Sequence, residues 1–372
     1  MANSTNSNLT NAKKVKNDEF YTQYSDIQKE IEAYLDYDAN VFRGKVVYCN
    51  CDDPFESNFF RYFVLNFNKL GLKQLITTSY KPSPIANTQL GLFGDDKTLT
   101  TPKGRPKITA NKFIINEVHD INDDGEFNLK DIAEKLKANR HNEWTPLEED
   151  GDFRSPECVA LLEQSDIVVT NPPFSLFREY VKQLFDHSKK FVIIGTLNAI
   201  TYIEIFPLIK DIKMWLGNGF HAGNAYFSAP NSQKDYATGV YNPETGLVKF
   251  RNCCWFTNLD HGRRHQLLPL MSVADNLKYS KHKELKSKNT YDRYDNYDAI
   301  EVPYTDAIPS DYDGVMGVPV SFLEKYNPDQ FEILGSNRGV DQDPNRIYGR
   351  GSYLNGKEVF KRIFIKHRKA SK

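Results

Sequence analysis

The sequence predicts an α/β fold. A doubly wound sheet of parallel strands should occupy residues 17–235, and an irregular α+β domain residues 236–372. Three observations predict this. Short β-rich apolar runs alternate with segments of helical periodicity from Asp26 to about Ile212, the imprint of strand–helix–strand units. Two of these runs, Lys45–Cys49 and Asp166–Thr170, stop abruptly at loops rich in Asn, Asp and Pro. After about Tyr236 helical periodicity fades, and short aromatic runs, Asp-Tyr pairs, Gly and Pro replace it.

Each element follows from its residues. Positions 1–16 are polar and rich in Asn and Lys, a composition expected to stay disordered. Ile27, Ile31, Tyr34 and Leu35 recur at helical spacing and predict a helix over 26–37. Lys45–Cys49 reads as a buried strand feeding an Asn50-Cys51-Asp52-Asp53-Pro54 turn. A helix over 59–70 should end at Gly71, and a second strand follows over 73–80. The stretch 81–107 holds four prolines and three glycines and reads as a long surface loop. A strand is expected over 112–118, and helices over 132–138 and 158–164. Then come a buried strand over 166–170, an amphipathic helix over 174–189 and another buried strand over 191–195.

Composition narrows the function classes. The 372 residues carry a formal net charge of −1, which excludes a nucleic-acid binder that is basic all over but leaves room for a local basic face. Five cysteines, an odd number, argue against a disulfide framework and for a reducing, cytoplasmic setting. The start lacks a secretion-signal pattern, and no apolar run reaches the roughly 18 residues of a membrane span. The expectation is a soluble intracellular protein with no membrane partner.

The chemistry is concentrated at Asn171-Pro172-Pro173-Phe174, directly after the strand over 166–170. In open α/β sheets, ligands bind beyond the carboxyl ends of the strands. An exocyclic amine on a nucleobase is a poor nucleophile, because its lone pair is delocalised into the ring. Two fixed acceptors on its N–H groups favour the pyramidal geometry that frees the lone pair. The Asn171 side-chain oxygen can be one and the Pro172 carbonyl the other, with the two prolines holding the backbone rigid. Phe174 offers a flat face for a base that has left its duplex.

On these residues the chain resembles the EcoRI-type adenine-specific DNA methyltransferases. The resemblance runs from about Asn17 to the C-terminus. It includes Asn17–Gln23, Val47–Pro54, Gly151–Ser155, Cys254–Leu259, Gln330–Gly335 and Gly356–Phe360. It implies a Rossmann-like methyltransferase sheet, S-adenosyl-L-methionine as methyl donor, double-stranded DNA as substrate, and a C-terminal target-recognition domain. A cognate restriction endonuclease is the functional partner it implies. Carried over by motif, Phe20, Tyr21 and Thr22 correspond to a segment closing over the donor's methionine end. Asn50, Asp52, Asp53 and Pro54 lie in the donor-facing loop after the first strand. Asp152 and Phe153 form the turn that holds the donor's adenine. The chain departs from the pattern where Glu56 stands in place of a common glycine, and no carboxylate follows the second strand at Thr78-Ser79-Tyr80.

Arg263, Arg264, Lys281, Lys283, Lys286, Lys288 and Arg293 are the candidate DNA contacts, with a basic tail from Lys361 to Lys372. Asp120–Asp131 follows much of a calcium-loop spacing but ends in Asp rather than Glu. Cys253 and Cys254, adjacent on a strand, point to opposite faces, so no metal site is expected. An N4-cytosine methyltransferase and a catalytically inactive DNA-binding protein are the alternative readings.

Overall fold

The computed structural model describes residues 21–51, 57–80, 110–118, 141–220, 225–228, 240–250, 252–286, 288–337 and 351–368. The expected 1–16 tail, the 81–107 loop, the calcium-like 120–131 spacing and the 132–138 helix lie outside these residues. The protein is a mixed α/β fold, and its chain divides into two compact units. The first takes the described residues of Met1–Leu197 and Gly217–Leu259, the second those of Asn198–Leu216 and Asp260–Lys372.

The first unit opens with strand β1 (Tyr21–Thr22) and helix α1 (Tyr24–Tyr37). Then follow β2 (Val46–Cys49), α2 (Asn58–Leu65), β3 (Gln74–Thr78), β4 (Asn111–Ile115) and β5 (Glu143–Pro146). Next come α3 (Pro156–Gln164), β6 (Ile167–Thr170), α4 (Phe177–Asp186) and β7 (Lys190–Thr196). The unit closes with β8 (Ala225–Ser228), β9 (Tyr241–Asn242), β10 (Leu247–Phe250) and β11 (Cys253–Thr257).

Local chemistry accounts for the helix ends. The Ser57 hydroxyl accepts from the Phe59 amide at 3.1 Å and caps α2. Ser155 caps α3, with Pro156 in the first turn where its missing N–H costs nothing. The expected helix over 59–70 breaks at Asn66, and its last turn ends on Gly71 at φ 63°, as the sequence predicts.

Within this unit a large mixed sheet runs in the order β5-β4-β3-β2-β6-β7-β11. The four central strands are parallel, and their near-continuous burial matches strands covered on both faces. β4, β5 and β11 join antiparallel at the two flanks. A smaller antiparallel sheet runs β1-β8-β10-β9.

β11 lies beyond the boundary expected at 235/236 and yet in the first unit. Cys253–Thr257 pairs with β7, Trp255 opposite Ile194, and all five of its residues are buried. A fully buried strand paired with β7 belongs with the first unit, and the division into units falls after Leu259, with 198–216 going to the second unit.

The second unit contains β12 (Ala299–Glu301), β13 (Val315–Pro319), β14 (Phe331–Ser336), β15 (Ser352–Leu354), β16 (Lys357–Val359) and β17 (Arg362–His367). Its four-stranded sheet runs β12-β13-β17-β14. The basic tail is therefore in large part an interior strand. Ile363, Phe364 and Ile365 are buried in it. Arg362 turns inward to Glu301, its Nη2 donating to Oε1 at 2.5 Å, and the Tyr294 hydroxyl donates to the other oxygen of that carboxylate.

Candidate active site

β2 has β3 on one side and β6 on the other, so strand order reverses around it. The parallel register sets Tyr48 beside Val168. Two residues further along each strand, Asn50 and Thr170 meet, the Thr170 hydroxyl donating to the Asn50 carbonyl. Asn171 therefore starts from a point fixed against the end of β2. Pro172 is buried, and Asn171, Pro173 and Phe174 are half-buried. The Asn171 Oδ1 atom itself is buried.

The segment after the tetrapeptide is a short 3-10 turn, Phe174–Leu176, leading into α4. Phe177 anchors that helix against Phe256, with ring centroids 4.9 Å apart. Gly195 on β7 makes room for it: a Cβ there would lie 2.5 Å from the Phe177 ring.

The turn at 151–154 closes on the same edge of the sheet. Gly151 adopts φ 79°, and an added Cβ would sit 2.0 Å from the Ser79 carbonyl oxygen, just past the end of β3. Only glycine satisfies both conditions. Asp152 Oδ1 accepts from the Arg154 amide at 2.9 Å and its Nε at 2.8 Å, and Oδ2 from Nη2 at 2.6 Å. Burial pushes the Asp152 carboxyl up; the hydrogen bonds and charge of Arg154 outweigh this and hold it below the ordinary carboxylate value.

Helix α4 grips this turn at three points. Glu179 pairs with Arg154 at 3.3 Å. The Tyr180 ring meets Phe153 edge-on at 5.0 Å. Gln183 Nε2 donates to the Phe153 carbonyl at 3.0 Å. Tyr180 also donates its hydroxyl to Asn50 Oδ1.

The structure thus brings Asn50, Asp152, Phe153 and the start of the tetrapeptide to one edge of the sheet. The Phe153 ring is buried against Tyr180, so its face is spent on packing. Thr22 is buried on β1, and its carbonyl accepts from Asn58 Nδ2 at 2.7 Å, tying it to the start of α2. Phe20, Asp52, Asp53 and Pro54 lie outside the described residues, and of Tyr21 only the backbone pairing with Ser228 is described. Sequence reasoning missed Tyr180, Glu179 and Gln183. The available signal was a helix period that buries Tyr180 next to Phe177 on the inner face. Among the described residues no cluster of His, Cys, Asp and Glu could hold a metal ion, and burial pushes the Cys253 thiol up to about 12.

The expected DNA contacts in the second unit separate into two groups. Arg264 lies over Trp215 at 3.7 Å and pairs with Asp260 at 3.1 Å, with its side chain nine-tenths buried. Lys281 pairs with Asp306 at 2.7 Å, Lys288 with Asp292, and Arg293 with Asp298. Lys283 and Lys286 flank the buried Leu285 on a short helical turn, are exposed, and make no ion pair among the described residues. Arg263 is half-buried.

Known proteins resemble the chain along nearly its whole length. Over its full length the chain is 42% identical to the type II methyltransferase M.EcoRI of Escherichia coli, covering 99% of that protein. It is 33% identical to the type II methyltransferase M.MpnI of Mycoplasma pneumoniae, over 96% of this chain and 97% of the relative. It is 32% identical to M.MgeORF184P of Mycoplasma genitalium, over 95% and 97%. No solved structure matches. The profile of the adenine-specific methyltransferase EcoRI family matches residues 8–368, and the chain belongs to that family.

Proposed function

We propose that this protein methylates the N6 amino group of a flipped-out adenine in duplex DNA, at a specific sequence, with S-adenosyl-L-methionine as donor. The carrying observation is the tetrapeptide Asn171-Pro172-Pro173-Phe174, seated at the carboxyl end of β6 beside Asn50 at the end of β2. The reversal of strand order there supports a doubly wound, Rossmann-like reading of the sheet, whose crevice lies at such a point.

The donor set suits S-adenosylmethionine. A carboxylate has about four lone-pair positions. Arg154 fills three of those on Asp152, two on Oδ1 and one on Oδ2, which leaves one on Oδ2 to accept from an adenine amino group. Asn50 and the backbone of Phe153 line the same edge. When bound, S-adenosylmethionine supplies a methyl group on a cationic sulfur. The chain's own task is orientation. Asn171 Oδ1 and the Pro172 carbonyl each hold one hydrogen of the target amine, and the Phe174 ring supports the base.

The second unit, with Lys283 and Lys286 as phosphate contacts, is the proposed target-recognition part. The type II designation of the relatives supports a restriction–modification role with a cognate restriction endonuclease, in the cytoplasm. Among the described residues no helix is long and apolar enough to cross a membrane.

The test is incubation of the full chain with duplex DNA and methyl-labelled S-adenosylmethionine, followed by nucleoside analysis. Label in N6-methyladenine is expected. Label in N4-methylcytosine, or in no nucleoside, overturns the proposal.

A further inference from the structure

We infer that Tyr180 is a positioning residue that locks the donor-facing loops to the catalytic loop; this deepens the methyltransferase reading and rests on it. Tyr180 is fully buried on α4, the helix that begins three residues after Phe174. Its two ends reach two different loops. The hydroxyl donates to Asn50 Oδ1 in the loop after β2. The ring packs edge-on against Phe153 in the turn that presents Asp152. The carbonyl of the same Asn50 accepts from Thr170, the residue immediately before Asn171. Asn50 is thereby held from both sides, by its side chain through α4 and by its backbone through β6.

A loop on a sheet edge is otherwise mobile on its own account, and a site held within half an ångström or so needs its supporting residues fixed in turn. Tyr180 supplies that support with a rigid side chain. Glu179 and Gln183, on the same helix, hold Arg154 and the Phe153 carbonyl. Any shift of the catalytic tetrapeptide that drags α4 therefore displaces the donor-facing turn with it. Coupling of this kind predicts that damage to Tyr180 is felt first in donor binding.

The experiment uses the full chain and duplex DNA that the wild type methylates. Tyr180→Phe keeps the ring contact and deletes the hydroxyl. Its KM for S-adenosylmethionine is expected to rise about tenfold, since a buried acceptor loses its donor, while the KM for DNA stays within twofold. In the double variant with Asn50→Ala, Tyr180→Phe should add nothing further, because the two act through one bond. A general loss of structure would instead move both KM values together. Equal rises in both KM values, no change in either, or additive effects in the double variant overturns the inference. Should Tyr180→Phe fail to fold, the exposed Glu179→Gln decides the matter. A rise in donor KM of about threefold with DNA KM fixed supports the coupling, on the scale of an exposed ion pair; no change overturns it. Wild-type protein that binds the donor but leaves DNA unmethylated sinks the functional reading alone.

Discussion

Asn171 is the residue on which the proposed chemistry turns, because an amide oxygen is an acceptor that no change of pH removes. Asn171→Ala is expected to lower turnover by about 100-fold while leaving DNA affinity within a few-fold, the scale of one lost oriented contact in a transition state. Single-turnover kinetics beside an anisotropy titration measures the two separately. Asp152 gives a pH signature. Its folded value lies below the ordinary one, so its stabilising contribution is present at neutral pH and is lost as pH falls through that depressed value. The melting-temperature gap between wild type and Asp152→Asn should thus shrink to nothing in acid. At Glu301 the prediction concerns folding. Glu301→Gln leaves Arg362 charged and buried without its counter-ion, which should cost about 3–5 kcal/mol in urea unfolding.

Among the elements, those read correctly from sequence are those whose cause is local. β6 is an unbroken apolar run halted by Pro-Pro, and the short helical turn that follows α2 ends where Gly71 allows a left-handed conformation. What was not legible is pairing across long separations. Asn50 and Tyr180 are 130 residues apart, and nothing near either names the other. β11 reads as a generic aromatic strand, and only the register with β7 shows that it joins the sheet. The same distance blurred the basic clusters: Arg264 and Arg362 look like surface cations until Trp215 and Glu301 are placed beside them. The turn at Gly151 carries its own prediction. Gly151→Ala meets both an unfavourable φ and the Ser79 carbonyl. It should destabilise the protein by more than about 1 kcal/mol and raise the KM for S-adenosylmethionine.

For the whole molecule, a net charge of −1 means that DNA affinity must come from a few well-placed cations. Lys283→Gln and Lys286→Gln should each reduce the slope of log affinity against log salt by about 1, read from titrations at several ionic strengths. The polypeptide also passes between its two units three times, at 197/198, 216/217 and 259/260. A fragment ending at Leu259 would keep Trp215 and Thr201 but lose Arg264 and Lys361, which hold them. It should therefore aggregate on expression, as a sedimentation assay would show. One recombination event near the C-terminus cannot exchange the second unit whole between relatives. A chimera that keeps the unit intact has to exchange 198–216 together with everything after 259, a double replacement.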